Sequence, residues 1–188
     1  MSAAARILRA VAALGVARPV VLIDGGAGAG KTTLATRLAE RWPGPVQLVS
    51  MDAFYPGWDG LAAGSAMVAE LVLRPVDPGY PSWGWERSAV TGWVPLDPAT
   101  PLIVEGCGAL TPANRALADL GIWCELDENE RHRRAIDRDG ESFAVHWDQW
   151  EAQEAGHWQR HRPWELADLT VTVGQARPGC STMATTPL

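Results

Sequence analysis

A glycine-rich turn between an apolar strand and a helix is the feature that most constrains the fold of this chain. Residues Val20–Asp24 read VVLID, a β-branched apolar run typical of a strand buried on both faces. The segment GGAGAGKT follows at once, from Gly25 to Thr32, and the pattern becomes helical from Lys31. A strand, a glycine turn and a helix in this order predict a parallel sheet flanked by helices.

The segment from Gly25 to Thr32 fits GxxxxGK[ST], the spacing of a phosphate-binding loop. Glycines allow main-chain N–H groups to turn inward around an anion, and the following helix points its positive end at the same place. Lys31 is expected to contact the β- and γ-phosphates of ATP, and the Thr32 hydroxyl to bind Mg²⁺. A chance glycine turn is the alternative, but the strand before it and the helix after it favour nucleotide binding. The predicted nucleotide-binding residues are Gly25, Gly26, Ala27, Gly28, Ala29, Gly30, Lys31, Thr32 and Thr33.

Apolar strands and helices alternate along residues 19–174, which predicts a single α/β domain with three layers. Further strands are predicted at Val46–Val49, Leu102–Val104, Ile122–Leu126 and Leu169–Val173. Helices are predicted at Lys31–Trp42, Leu61–Leu73, Pro112–Asp119, Glu128–Asp139 and Phe143–Arg160. Ligands should bind at the carboxyl ends of such parallel strands. Residues 1–18 are predicted to form an amphipathic helix packed on the domain, and residues 175–188 a flexible tail.

Residues 74–101 hold six prolines and three tryptophans and show no hydrophobic period. So long an irregular stretch inside a compact domain predicts a functional loop or insertion, here an acceptor-binding one. Trp83 and Trp85 lie in it and could stack on a flat acceptor. The alternative is that these side chains pack in the core, as most of the ten tryptophans of the chain should.

Two carboxylates follow predicted strands at the edge of the sheet that carries the glycine loop. Asp52 comes after the second strand, where it could accept the proton of an acceptor hydroxyl, bind Mg²⁺, or do both. A turn or N-cap aspartate is the alternative. Glu105 ends the third strand, where a carboxylate can support Mg²⁺, although a turn carboxylate without a ligand is again the alternative.

Three arginines share one face of the predicted helix at Glu128–Asp139. Arg131, Arg134 and Arg138 follow the spacing i, i+3, i+7. Guanidinium groups on a mobile segment can stabilise charge on a transferred phosphoryl group, so residues 128–142 are predicted to be a lid. The alternative is a solvated helix held by ion pairs.

Composition limits the partners of this protein. The net charge is −6 and the pI about 5.2, which argues against nucleic acid or an anionic membrane as a partner. Three scattered cysteines indicate reduced thiols rather than a disulfide framework, and a cytoplasmic location is expected. No apolar run approaches the roughly 20 residues of a membrane span.

Together these motifs resemble the uridine kinase-like group of P-loop kinases. The matching segments are IDGGAGAGKTTLA from Ile23, SMDAFY from Ser50, LIVEG from Leu102, RHRRAIDRD from Arg131 and ADLTV from Ala167. The resemblance implies a five-stranded parallel sheet in the order 2-3-1-4-5, Asp52 as base and magnesium neighbour, and Glu105 beside the magnesium. It also makes Arg134 and Arg138 lid residues. Together with Asp52 and Lys31 of the phosphate-binding loop, they are the predicted catalytic residues. The substrate candidates are Asp52, Tyr55, Tyr80, Trp83, Trp85 and Arg131. In the family the middle region forms a small hairpin that binds the nucleoside; here it reads YPSWGW at Tyr80–Trp85.

The sequence therefore predicts an ATP- and Mg²⁺-dependent kinase that phosphorylates a hydroxyl of a small molecule, such as a nucleoside or a similar polar metabolite. A nucleotide-binding switch with weak NTPase activity and a nucleoside-monophosphate kinase are the alternatives. Assembly into a homodimer is a further option that the sequence leaves open.

Overall fold

A computed structural model describes residues 1–173, apart from the side chains of residues 139, 141 and 142. The predicted tail at 175–188 lies outside the described residues. The strands are β1 (Val20–Asp24), β2 (Gln47–Ser50), β3 (Gly79–Gly84), β4 (Ala89–Pro95), β5 (Leu102–Glu105), β6 (Leu120–Cys124) and β7 (Leu169–Val171). Five of them form one sheet in the order β2-β5-β1-β6-β7, and every pair in it is parallel. Strands β3 and β4 form a separate two-stranded sheet. When only the five strands of the main sheet are numbered along the chain, their order is the predicted 2-3-1-4-5.

Helices cover both faces of that sheet. They are α1 (Ala3–Ala13), α2 (Lys31–Ala39), α3 (Leu61–Met67), α4 (Pro112–Arg115), α5 (Glu128–Asp139), α6 (Glu141–Ala144), α7 (Trp147–His161) and α8 (Pro163–Leu166). A 3₁₀ turn, Met51–Ala53, follows β2, and a π-helical turn, Val68–Val72, follows α3. Within residues 1–173, no helix is both long enough and apolar enough to span a membrane.

The core consists of two apolar layers separated by the sheet. On one side Val21 and Ile23 of β1 pack with Ile7 of α1 and with Leu34 and Leu38 of α2. On the other side the intervening Leu22 packs in a cluster that α3 and α7 complete. Because successive residues of a strand point to opposite faces, an uninterrupted apolar run fills both layers. The three-layer α/β/α prediction is confirmed.

Residues 74–101 are not irregular throughout, which corrects the sequence-based expectation. They contain an antiparallel hairpin in which Gly79 of β3 lies opposite Pro95 of β4, with an irregularity in register between Ser82 and Trp83. Strand β4 is largely exposed, so no apolar alternation marks it in the sequence. The prolines stand near the strand ends or on edges that need no further partner, where a missing N–H is tolerated.

The predicted helices at Pro112–Asp119 and Phe143–Arg160 end early or are interrupted. The helix that follows the cap Thr111 ends at Arg115 rather than at Asp119, because the Asp119 carboxylate accepts a hydrogen bond from the N–H of Val20 at 2.8 Å. The segment predicted as one helix at Phe143–Arg160 is divided between α6 and α7. The break lies at Val145 and His146, which places both residues beside the cavity described below.

Candidate functional site

The glycine loop leaves β1 and enters α2 through backbone conformations that favour glycine. Gly28 and Gly30 have φ angles of 78° and 90°. A Cβ atom at Gly28 would lie 2.0 Å from the carbonyl oxygen of Arg131, so α5 packs directly on the loop. Gly30 is the N-cap of α2 and supplies no side chain to the first N–H groups of that helix. Those N–H groups are donors without intrahelical partners, as a phosphate cradle requires.

Lys31 places a buried cation beside this loop. Its Nζ donates to the carbonyl oxygen of Gly26 at 2.9 Å and to Sγ of Cys107 at 3.2 Å. Burial alone would lower the pKa of Lys31, but the neighbouring Cys107, Glu154 and Glu105 outweigh burial and raise that pKa above its ordinary value. Lys31 is therefore charged at neutral pH and suited to an anionic ligand.

The three residues predicted to bind magnesium lie close to one another. The Thr32 hydroxyl donates to Oε1 of Glu105 at 3.1 Å. Burial raises the pKa of Glu105, Lys31 opposes that rise, and the charge of Asp52 adds to it. Within residues 1–173 no group of three or more His, Cys, Asp or Glu side chains is arranged to hold a metal ion by itself. Thr32, Asp52 and Glu105 are oxygen ligands of the kind that hold Mg²⁺ together with phosphate oxygens and water.

A cavity of about 810 Å³ opens in front of these groups. Besides the glycine Gly28 and Arg138 of the predicted lid, it brings together seven of the predicted site residues. They are Ala27, Lys31, Thr32, Asp52, Tyr55, Trp85 and Glu105. The side chain of Tyr55 is fully buried, and its hydroxyl donates to the carbonyl oxygen of Cys107 at 2.7 Å.

Outside the loop at Gly25–Thr33, four predicted residues do not line this cavity. Tyr80 packs against Phe54, with ring centroids 5.1 Å apart, and Trp83 lies in the hairpin next to Gly84. Arg134 donates to Oε1 of Glu130 at 2.8 Å and to the carbonyl oxygen of Val173 at 2.8 Å. The fourth, Arg131, is buried against the glycine loop. Arg131, Arg134 and Arg138, which were predicted on one face of the helix, therefore lie in three different environments.

Glu154 is a site residue that the sequence analysis missed. Its Oε1 accepts hydrogen bonds from the Ala27 N–H at 2.6 Å, from Trp150 Nε1 at 3.1 Å and from Cys107 Sγ at 3.1 Å. Its Oε2 lies 3.3 Å from the guanidinium of Arg131, which also donates to the Ala27 carbonyl oxygen. One ion pair therefore engages both main-chain polar groups of Ala27. A carboxylate on the apolar face of an amphipathic helix is the sequence signal that could have identified Glu154.

Asp24 is a second missed residue. Its buried carboxylate accepts hydrogen bonds from the N–H groups of Gly25 at 2.6 Å, Gly108 at 3.0 Å and Leu110 at 2.7 Å. Burial raises the pKa of Asp24 to about 6, although these hydrogen bonds and Lys31 act to lower it. Asp24 therefore joins the start of the glycine loop to the chain that follows β5.

Comparison with solved structures places this fold among known proteins. The chain is similar to a protein from Bacillus stearothermophilus described as a "Possible Uridine Kinase", with 18% identity, a TM-score of 0.62, and 89% of this chain and 96% of that chain covered. It is also similar to a "putative fructose transport system kinase" from Silicibacter sp., with 20% identity, a TM-score of 0.58, and 91% and 100% of the two chains covered. No protein-family model matches the sequence. The likeness is one of fold: this chain has a P-loop NTPase-like α/β fold similar to that of both proteins.

Proposed function

We propose that this protein is a kinase that uses ATP and Mg²⁺ to phosphorylate a hydroxyl group of a small molecule, such as a nucleoside or a similar polar metabolite. The single observation that carries the proposal is that Asp52 lines the same cavity as Lys31 and Thr32. A carboxylate, a cation and a hydroxyl around one space are what in-line transfer of a phosphoryl group to an alcohol requires. The expectations of a cytoplasmic location and of a homodimer stay predictions.

Each residue of the site then has a defined task. The glycine-loop N–H groups and Lys31 bind the phosphates. Thr32, Glu105 and Asp52 would hold Mg²⁺, which would supply charge neutralisation at the phosphoryl group. The hydroxyl oxygen of the acceptor bonds to the γ-phosphorus while Asp52 takes the hydroxyl proton. The bond between the γ-phosphorus and the oxygen that bridges it to the β-phosphate breaks at the same time. Arg138 on the predicted lid stabilises the negative charge on the phosphoryl group as it passes to the acceptor oxygen, and ADP is the leaving group.

Replacement of Asp52 by asparagine tests this assignment. Asp52→Asn removes the proton acceptor while it keeps the size of the side chain, so transfer should fall by about 100-fold or more while affinity for ATP changes little. Transfer is measured as acceptor-dependent ADP release with a panel of nucleosides, sugars and hydroxylated metabolites, and ATP affinity by calorimetry. Asp148→Asn, at an exposed carboxylate in the first turn of α7, is the matched control.

The outcomes separate the competing functions. Retained transfer in Asp52→Asn removes Asp52 as the base. A wild-type protein that binds ATP and hydrolyses it slowly, with no acceptor in the panel increasing the rate, indicates a nucleotide switch. Preference for a nucleoside monophosphate over its nucleoside indicates the monophosphate kinase. Failure to bind ATP with Mg²⁺ overturns the proposal altogether.

A further inference from the structure

We propose that the acceptor is an alcohol that carries an ammonium group, bound between an aromatic wall and Glu86; this inference rests on the proposed kinase function. The aromatic wall consists of Trp58, Trp85, Phe143, His146 and Trp150, all of which line the cavity that contains Asp52. The indole N–H groups of Trp85 and Trp150 hold other site residues in place, but phosphate binding does not use the faces of the five rings or Glu86, so these surfaces are available for the acceptor.

Trp58 is the centre of the aromatic wall. Its ring is stacked on that of His146 at 4.2 Å, and it lies 4.9 Å from the ring of Trp85. Phe143 and Trp150 flank the same ring at 5.6 Å and 6.4 Å. Rings that are fixed by one another offer a preorganised apolar surface at low entropic cost.

Trp85 connects this wall to the proposed base. Its indole N–H donates to the main-chain carbonyl oxygen of Asp52 at 2.9 Å, which fixes the indole next to the carboxylate that faces the acceptor hydroxyl. Trp85 is nevertheless 37% exposed, so part of its surface remains available to a ligand. An acceptor bound for transfer to its hydroxyl would therefore place its body against Trp85 and Trp58.

The charges around the cavity favour a cationic acceptor. The permanently cationic side chains in the lining are Lys31 and Arg138, and the proposed function assigns both to the phosphates. Asp52, Glu86 and Glu105 are the carboxylates, of which Glu86 has no part in phosphate or magnesium binding. An anionic acceptor would face Asp52 and Glu86 without a cation of its own. An ammonium group would gain both the π-face of a tryptophan and the nearby carboxylate.

Matched probes test the charge preference directly. Choline and its neutral isostere 3,3-dimethylbutan-1-ol differ in charge but hardly in shape, and both are titrated into ¹⁵N-labelled protein with Mg²⁺ and a non-hydrolysable ATP analogue, and again without nucleotide. Shifts of the indole N–H signals of Trp58 and Trp85 report binding. Choline should bind about 5-fold more tightly than the isostere, the size of a partly desolvated cation–π contact.

The chain contains its own control for Glu86. Trp85-Glu86 and Trp164-Glu165 are the same dipeptide, and the two tryptophans are similarly exposed, at 37% and 41%. Glu86→Gln should bring the affinity ratio of the two probes close to one. Glu165→Gln, at a residue outside the cavity, should leave that ratio unchanged.

Three results overturn the inference: equal or tighter binding of the isostere by the wild-type protein, an unchanged ratio in Glu86→Gln, or no shift of either indole signal with either probe. Calorimetry of the ATP analogue separates this failure from that of the proposed function. If the analogue binds and no preference for choline is seen, the ammonium inference alone fails. If the analogue does not bind, the kinase proposal fails.

Discussion

Glu154 contacts the glycine loop from a helix more than a hundred residues further along the chain. Its carboxylate is 1% exposed and is paired with Arg131, which is also buried. Each charge would be costly to bury alone, so each is retained because the other is present. The pair also joins α5 and α7 to the same residue of the loop, Ala27. We therefore regard Glu154 as a positioning residue for the phosphate cradle.

Loss of Glu154 should strongly destabilise the folded protein, because it leaves the Arg131 guanidinium buried without a counter-charge. Glu154→Ala is expected to lower the free energy of unfolding by about 3–5 kcal/mol. The exposed pair of Arg162 and Glu165 provides the control, and Glu165→Ala should cost less than about 1 kcal/mol. Urea denaturation at pH 7 measures both. Similar small losses in the two variants would show that the buried pair does not stabilise the loop.

At the scale of elements, the site depends on how α5 packs on the glycine loop. The absence of a Cβ atom at Gly26 and Gly28 makes room for this helix, because a Cβ at either position would collide with Arg131. The loop thus has two constraints on its composition: inward-facing amides on one side and close contact with a helix on the other. Only the first belongs to the phosphate-loop motif.

A pair of glycine variants distinguishes backbone strain from the collision with α5. Gly28→Ala and Gly15→Ala both place alanine at a positive φ, 78° and 64°, with a strain of about 1–2 kcal/mol each. Only Gly28→Ala meets α5, whereas nothing lies within 4 Å of a Cβ at Gly15. Gly28→Ala should therefore also accelerate amide hydrogen exchange throughout α5. Equal exchange of α5 in the two variants would mean that the helix does not depend on this contact.

The sequence predicted those elements whose burial requires a recognisable pattern of apolar residues. Strands β1 and β5 are buried on both faces and so appear as apolar runs, whereas the hairpin strand β4 is exposed and left no pattern. Lys31 was found from the spacing of the phosphate-binding loop, and Asp52 because the carboxyl ends of parallel strands meet at one edge of the sheet. Trp58 and Glu154 were not found, because they reach the site only through the packing of α7. Such long-range packing produces no motif of neighbouring residues in the sequence.

For the whole molecule, Asp24 links folding to pH. Its carboxylate lies at the junction of β1, the glycine loop and the chain after β5, and burial raises its pKa from 3.8 to about 6. The native protein therefore keeps a proton on Asp24 up to about pH 6, whereas the unfolded chain releases it near 3.8. Since the native state binds more protons in this window, the free energy of unfolding falls as the pH rises through it.

Asp24→Asn should remove this part of the pH dependence. The decline of unfolding free energy between pH 4 and pH 7 should be smaller in the variant than in the wild-type protein by about 2–3 kcal/mol, at 1.36 kcal/mol per pKa unit. Chemical denaturation across this range measures the slope, which is independent of any constant cost of the substitution. The control is Asp97→Asn, because Thr100 and Ala99 lower the pKa of Asp97 and its contribution has the opposite sign. An unchanged decline in Asp24→Asn would exclude Asp24 as its source.

The hydrogen bond between the Trp85 indole and the main chain of Asp52 limits how this protein could acquire a new substrate. In many enzymes the segment that selects the substrate is modular and can be exchanged without harm to the reaction. Here a hairpin grafted from another protein would also remove an anchor of the proposed base. Natural variants or designs that change the substrate should therefore keep a tryptophan at position 85, or lose turnover together with their former selectivity.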